Sequence, residues 1–310
     1  MQSIVYSYVM NRNHLALFHV VAQAGGITHG AAQARISQPA VSKQITELES
    51  ALGVRLLERL PRGCQLTEAG RILADYAGRW CALEQDAQRA MEEYRGLKRG
   101  RLAIGASQTI GGYLLPALLA EFHRRHPDIE LQMEIANTQH IQQSLLAGSL
   151  DLGFTEGPLA EEQLESTVFL QDELVAIAPT GHPLLKKGRV TVRELCREPF
   201  LLREEGSGTR AVVEQALRRK GLKIKPLLSL ASPEAIKHAV AARLGVAIVS
   251  RLIVALEIQA GSLGIISLQD LTIHRPLHWQ RLRKRSQSPA LGKFLELLRT
   301  QASTGGAGGG

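Results

Sequence analysis

Between Ala69 and Tyr94 the apolar residues Ala69, Leu73, Tyr76, Trp80, Leu83, Ala87, Ala90 and Tyr94 return at steps of alternately four and three. That average of 3.5 is the period of a seam between two helices, because a straight helix of 3.6 residues per turn drifts away from it. One copy of such a helix cannot cover both sides of its seam. The chain is therefore expected to form a long helix that pairs with itself, with Leu73, Tyr76, Trp80, Leu83 and Ala87 as dimerisation contacts in a homodimer or homotetramer.

What precedes this helix decides what the pairing is for. A first helix with the core face Leu15, Phe18, Val21 and Ala22 ends at Gly25-Gly26, a short second one covers about residues 28–34, and the turn Arg35-Ile36-Ser37 leads into a third. Ser37 or Gln38 can cap the third helix, and Pro39 sits in its first turn, where a missing N–H is no loss. Val41, Ile45, Leu48 and Leu52 make its apolar stripe, while Gln38, Ser42, Lys43, Thr46 and Ser50 share the opposite face. Short hydrogen-bonding side chains suit a helix lying in a major groove: bulky ones would hold it off the base edges, and Gln pairs bidentately with adenine. Glu47 and Glu49 are unwelcome beside phosphates, which places base reading in the N-terminal half. Three-helix bundles that never meet DNA show similar spacing, so this pattern alone leaves both readings open.

The next segment, Leu56 to Thr67, has the pattern of two short strands around a Pro61-Arg62-Gly63 turn, a wing that carries Arg59 and Arg62 to the flanking backbone. Thr67 is placed to cap the long helix. The expected contacts to double-stranded DNA are Arg35, Ser37, Gln38, Pro39, Ser42, Lys43, Thr46, Arg59 and Arg62. Three runs here, Ser37-Gln38-Pro39-Ala40-Val41-Ser42-Lys43-Gln44-Ile45, Leu52-Gly53-Val54-Arg55-Leu56-Leu57-Glu58-Arg59 and Leu66-Thr67-Glu68-Ala69-Gly70, resemble the N-terminal region of LysR-type transcriptional regulators at that family's spacing. The match departs at His29 and Gly30, where the family carries a small hydroxyl residue and a larger polar one.

After Tyr94 a short basic hinge, residues 96–101, gives way to alternating strands and helices. Strands are expected at Leu102–Ala106, Ile129–Ile135, Leu152–Thr155, Leu174–Ala178, Leu227–Leu230 and Val246–Val249. Helices are expected from Thr109 through Phe122, near Gln139–Ala147, near Gly208–Lys220 and near Pro233–Arg243. Alternation of this kind builds doubly wound α/β sheets. The resemblance extends to about residue 300 and implies two periplasmic-binding-protein-like subdomains, the chain crossing near 178–183 and returning near 268–276. The expected organisation is thus α plus α/β: a winged helix-turn-helix domain at 1–66, a linker helix at 67–95, a two-lobed effector domain at 102–302 and a disordered Gly-rich tail at 303–310. Lobe I would hold about 102–178 and 275–302, and lobe II about 179–274.

In open α/β sheets ligands bind at the carboxyl ends of strands, where helix N-termini offer free N–H groups and partial positive charge. Ser107-Gln108-Thr109, Asn137-Thr138, Ser207-Gly208-Thr209 and Ser232 occupy such junctions, and together they suit a small anionic effector. In the sulfur-assimilation branch of the family, residues at positions matching Ser107, Thr109 and Thr138, and in the turn holding Ser207 and Thr209, line the ligand cleft. The resemblance as a whole points to the sulfur- and carbon-assimilation regulators. By themselves the same Ser and Thr residues serve equally well as helix caps.

The remaining features restrict the alternatives. A formal net charge of +8 fits an anionic partner. Between Arg275 and Arg299, Arg275, Arg281, Arg283, Lys284, Arg285, Lys293 and Arg299 face the single anion Glu296, which suggests either a solvated face or a second DNA-wrapping surface. Cys64, Cys81 and Cys196 lack metal-ligand spacing, so neither a metal nor a cofactor is expected. No Gly-x-Ser-x-Gly elbow, His-Glu-x-x-His pair or nucleotide-binding loop occurs, which argues against an enzyme and leaves no catalytic residues to name. A two-lobed solute-capture protein is the nearer rival, but it would need an export signal and has no use for the first hundred residues. The expected partners are DNA, a second copy, a small anion and RNA polymerase, in the cytoplasm, with no membrane.

Overall fold

The computed structural model describes residues 10–59, 64–94, 100–157, 161–283 and 285–305. They fall into two compact units, one up to Met91 and one from Glu92 onward. No helix among the described residues is long and apolar enough to cross a membrane.

The first unit begins with α1 (Arg12–Gln23), α2 (Ile27–Ala34) and α3 (Gln38–Leu52). Their apolar stripes meet in one core of Leu15, Phe18, Val21, Val41, Ile45 and Leu48. At Gly30 a Cβ would come within 2.8 Å of Val21 Cγ2 and 2.9 Å of Val21 Cα. At Gly30 the departure from the family pattern goes with a close crossing of α1 and α2, where a side chain would force Val21 to shift. Strands β1 (Leu57–Arg59) and β2 (Cys64–Leu66) pair antiparallel as the wing. Thr67 Oγ1 accepts from the Gly70 N–H at 3.0 Å and so caps α4 (Glu68–Tyr94).

The second unit opens with β3 (Arg101–Ser107), α5 (Gln108–Tyr113), α6 (Leu115–Arg125), β4 (Glu130–Ala136), α7 (Thr138–Leu146) and β5 (Leu152–Glu156). The continuous helix expected from Thr109 is broken at Leu114, because Pro116 has no N–H to offer the preceding turn and restricts the residue before it. There follow β6 (Leu164–Pro179), the single-turn helices α8 (Pro183–Lys186) and α9 (Val192–Leu195), β7 (Phe200–Arg203), α10 (Gly208–Arg219), β8 (Leu228–Leu230), α11 (Pro233–Ala241) and β9 (Val246–Ser250). The chain closes through α12 (Ala255–Gln259), β10 (Leu263–Ile266), β11 (Ile273–Leu282) and α13 (Pro289–Gly305).

One sheet runs through the whole unit in the order β4-β3-β5-β11-β6-β9-β7-β8, with β10 also on β6. In lobe I, β3 pairs parallel with β4 and β5; in lobe II, β7 pairs parallel with β8 and β9. Separate apolar cores stand in the two lobes, one around Phe122, Phe154 and Phe294 and another around Leu195, Phe200 and Val213.

The lobes are joined by β6 and β11, which pair antiparallel from Ile273↔Leu174 to Leu282↔Leu164. The first part of β6 faces β11 alone, while Leu174 to Ile177 already pair with β9 of lobe II. This corrects the expected lobe boundary: the crossing lies within β6 ahead of Leu174, and residues 178–183 lie beyond it. The chain returns inside β11, near the expected Pro276. The expected tail also starts too early, since α13 continues to Gly305 and the rest lies outside the described residues, as does most of the hinge.

Candidate functional site

Two regions gather the expected site residues. In the first unit, Arg35, Ser37, Gln38, Pro39, Lys43 and Thr46 are exposed along one side of the α2–α3 corner, with Ser42 half-buried. Arg35 takes the left-handed conformation (φ 56°) that ends α2. Ser37 is the N-cap of α3, but its side chain makes no capping hydrogen bond. The Thr46 hydroxyl donates to the Ser42 carbonyl at 2.9 Å, a local bond that turns it toward its own helix. Glu49 has a structural use: its Oε1 accepts the backbone N–H groups of Leu56 at 2.7 Å and Leu57 at 3.0 Å, tying α3 to the start of the wing. A groove of about 610 Å³ lies between α3 and the wing, lined by Ser42, Thr46, Glu49, Ser50, Arg55 and Cys64. The Arg59 side chain and all of Arg62 lie outside the described residues.

Along α4 the structure divides the expected dimer seam. Leu73 and Trp80 are half-buried against the core of their own unit, next to buried Ala77. Both therefore share their surface with their own unit's core and keep only part of it open to a partner. Tyr76, Leu83 and Ala87 are exposed, with Ile72 and Met91 on the same uncovered side of the count; Tyr76 is 60% and Leu83 68% exposed.

The other region lies where the two lobes meet. Parallel pairing aligns the carboxyl ends of β4, β3 and β5, so that Ser107 stands between Ala136-Asn137-Thr138 and Thr155-Glu156. Lobe II answers with the turn Gly206-Ser207-Gly208-Thr209 at the start of α10. The contact is close: a Cβ on Gly208 would sit 1.9 Å from the Glu156 carbonyl oxygen and 2.6 Å from Thr138 Oγ1. The Gln139 N–H donates to the Gly206 carbonyl at 3.1 Å across the same seam. Ser107, Thr109, Thr138, Ser207 and Thr209 are all buried here, with Gln108 and Asn137 half-buried.

Part of the expected set caps helices. Asn137 Oδ1 accepts from His140 N at 3.0 Å, Ser207 Oγ from Arg210 N at 3.4 Å and Ser232 Oγ from Ala235 N at 3.4 Å. The rest surround a charged cluster that the sequence did not reveal. Arg275, 1% exposed, donates through Nε to Asp172 Oδ2 at 2.7 Å and through a terminal nitrogen to Thr209 Oγ1 at 2.8 Å, and lies 3.3 Å from Glu156 Oε1. Ser250 Oγ donates to Asp172 Oδ1 at 2.8 Å. Thr209 Oγ1 donates to Glu156 Oε1, and Thr138 Oγ1 to the Glu156 carbonyl, both at 3.2 Å. Among the described residues, three buried atoms of the region have no hydrogen-bond partner, Glu156 Oε2, Ser107 Oγ and Arg275 Nη2, the last paired by charge with Asp172 Oδ2 at 2.7 Å.

A second link joins the lobes through Tyr113 of α5 and Glu234 of α11, whose side chains share a hydrogen bond. Lys237 Nζ donates to the Tyr113 hydroxyl at 3.0 Å and to the Ile253 carbonyl at 2.8 Å, and pairs with Glu257 at 2.7 Å. Burial opposes its charge, but the bonds with Glu257, Tyr113 and Glu234 hold its pKa above that of a free lysine. A cavity of about 390 Å³ opens beside Arg275, lined among others by Gly157, Arg219, Lys220, Thr272 and His274, and none of the expected effector residues lines it.

Arg275 had been grouped with the basic C-terminal stretch. The structure removes three of those cations from any DNA-wrapping face: Arg275 lies in the interlobe cluster, Arg281 pairs with Glu165 at 2.7 Å and Arg285 with Asp151 at 3.0 Å. Lys284 lies outside the described residues. A charged residue closing an apolar strand, as Glu156 closes Leu-Gly-Phe-Thr-Glu, was the one available signal for the cluster.

A winged helix-turn-helix unit and a two-lobed α/β unit with polar groups sealed between its lobes, in one chain, define the class of ligand-responsive transcriptional regulators. Residues 12–71 match the family described as bacterial regulatory helix-turn-helix protein, lysR family, and residues 95–303 match the LysR substrate binding domain. The RuBisCO operon transcriptional regulator of Allochromatium vinosum is 33% identical over 289 residues, covering 93% of this chain and 95% of that protein. Among solved structures, the CcmR regulatory domain of Synechocystis PCC6803 in complex with 2-PG is 31% identical with a TM-score of 0.62, covering 66% of this chain and 97% of that one. Full-length CbnR complexed with its target DNA shares the fold, at 23% identity and a TM-score of 0.63 over 94% of this chain and 99% of that one. The chain belongs to the LysR family of transcriptional regulators, which are not enzymes.

Proposed function

We propose that this regulator reads a pseudo-palindromic promoter site as a homodimer or a homotetramer, and that a small anionic effector held between its lobes changes how it does so. Gln38, Pro39 and Ser42 would meet base edges, with Arg35, Ser37, Lys43, Thr46, Arg59 and Arg62 on the backbone. The exposed side of α4 with Tyr76, Leu83 and Ala87 would pair two copies, in the cytoplasm and within reach of RNA polymerase. The effector would take Ser107, Gln108, Thr109, Asn137, Thr138, Ser207, Gly208, Thr209 and Ser232 as its surroundings. A solute-capture role without DNA leaves the exposed polar face of α3 without a purpose.

The observation that carries the effector reading is the convergence of the N-termini of α5, α7 and α10 on one buried junction where the Ser107 hydroxyl has no partner. Helix N-termini favour negative charge, and an orphaned buried hydroxyl is costly unless something meets it. The CcmR complex makes 2-PG the first compound to try. Thr109→Val keeps the shape and removes a hydroxyl, so calorimetry with 2-PG below about pH 6, where its phosphate retains a proton, should show a loss of about 1.5 to 3 kcal/mol while ligand-free operator binding stays intact. Equal affinity in both proteins would reduce these Ser and Thr residues to helix caps.

A further inference from the structure

Most side-chain hydroxyl and amide groups of the interlobe junction are already engaged. Thr209 has given its only hydroxyl proton to Glu156 Oε1 and accepts from Arg275, and Thr138 has given its proton to the Glu156 carbonyl. Ser207 Oγ and Asn137 Oδ1 are engaged as helix caps. Both oxygens of Asp172 are occupied, one by Ser250 and one by Arg275. Among the described residues, what remains is an acceptor, Glu156 Oε2, on a side chain only 2% exposed, the Ser107 hydroxyl, also 2% exposed, and Arg275 Nη2, whose charge is already met by Asp172 Oδ2 at 2.7 Å. Charge runs the same way, since the single Arg275 guanidinium faces two carboxylates, Glu156 and Asp172.

A carboxylate accepts hydrogen bonds and cannot donate them. An oxyanion without protons would bring acceptors against an acceptor, adding like-charge repulsion to the cost of an unsatisfied buried group. An anion that carries an O–H or N–H next to its charged group meets the same surroundings on better terms. Its donor serves Glu156 Oε2, its oxygens receive the Ser107 hydroxyl, and helix N-termini hold its charge.

We propose that Glu156 sets the ligand specificity of the interlobe site by accepting a hydrogen bond from the effector. The effector class is then small anions that keep a proton donor, namely hydroxy- or amino-carboxylates and protonated oxyanions, while aprotic oxyanions such as sulfate are rejected. This deepens the interlobe-effector reading above and rests on it.

Phosphate and sulfate test the idea directly, because they share size and shape, yet at about pH 7 phosphate always retains a proton and sulfate has none. Glycolate and acetate form a second pair that differs by one hydroxyl. Calorimetry on the full-length protein should show the donor-bearing member of each pair binding about 10- to 100-fold tighter. Glu156→Gln, whose amide can donate, should erase most of that preference, whereas Ser107→Ala should weaken every probe and keep it. Sulfate binding as tightly as phosphate, or a preference that survives in E156Q, overturns the proposal. Probes that bind without a preference but are weakened by S107A sink the role of Glu156 and spare the site. Binding indifferent to both substitutions, or no binding of any probe, sinks the site as well. If E156Q melts before it can be assayed, the ratio within each pair in the wild-type protein, with S107A marking the site, decides alone.

Discussion

The polar face of α3 and the junction between the lobes are made of the same materials, hydroxyls, amides and a few cations, and differ in what has been done with them. On α3 and the turn before it, Arg35, Gln38 and Lys43 stand in solvent, with Lys43 engaged only by a Glu47 carboxylate 3.8 Å away. Between the lobes, Thr209, Asp172 and Arg275 are buried and bonded through Arg275, and buried Thr138 is bonded to the Glu156 carbonyl. An exposed polar group is held in readiness, because water leaves without rearrangement of the protein. A buried and bonded one is part of the fold, and a partner reaches it only by separating surfaces already in contact. The comparison teaches that DNA would dock on the first region as it stands, whereas a ligand at the second would have to compete with internal bonds and so couple to conformation.

The comparison breaks most visibly at Arg275. Replacing it with Met strands two buried carboxylates, and removing one partner of a buried ion pair costs about 3 to 5 kcal/mol. Scanning calorimetry should show the unfolding of the effector-binding unit at clearly lower temperature; a variant as stable as the wild type would mean that the cluster is not structural. Gln38→Ala should do the reverse. It should leave the melting temperature in place and weaken binding by about 1 to 3 kcal/mol for one base pair of the operator, read by titrating duplexes substituted at each position. Equal losses on specific and random DNA would put Gln38 on the backbone.

The smallest effect sharpens the contrast through pH. His278 is buried in lobe I and its Nδ1 has no hydrogen-bond partner. Desolvation pushes its pKa below the ordinary 6.5. With the folded pKa depressed, the unfolded chain binds the proton more readily, so stability is fully present above about pH 6.5 and declines as pH falls below it. His278→Asn should flatten that decline in melting temperature between about pH 7 and 5, and an unchanged slope would show that His278 does not report on burial.

How much of this could be read beforehand depended on how local the cause was. The helices of the first unit were legible because Leu15, Phe18, Val41, Ile45 and Leu48 repeat at helical spacing and their neighbours in sequence are their neighbours in space. The long helix was legible as a helix, but a seven-residue repeat says which residues share a stripe and not what covers it. Hence nothing in the repeat showed that Leu73 and Trp80 would be half-buried against the core of their own unit. The first half of β6 mixes Glu165, Ser166 and Thr167 with Val168 and Leu170, both of them exposed, and so carries no clean period. Among the expected effector residues, Ser107 and Thr138 were legible as strand-to-helix junctions. The cluster beside them was not, since Asp172 and Arg275 stand 103 positions apart and an arginine between His274 and Pro276 reads as surface.

The two strands that join the lobes set the kind of motion the molecule can use. A pair of antiparallel strands bonded rung by rung resists stretching and sideways bending, since either would break the ladder, but it twists readily, as sheets everywhere do. The irregularity between Leu277 and His278 marks a place where the local twist is already raised. Anything wedged between the lobes therefore acts as a torque on this ribbon. Its largest displacements arise farthest from the axis, at the outer strands β4 and β8, so the message leaving the effector-binding unit is an angle and not a distance.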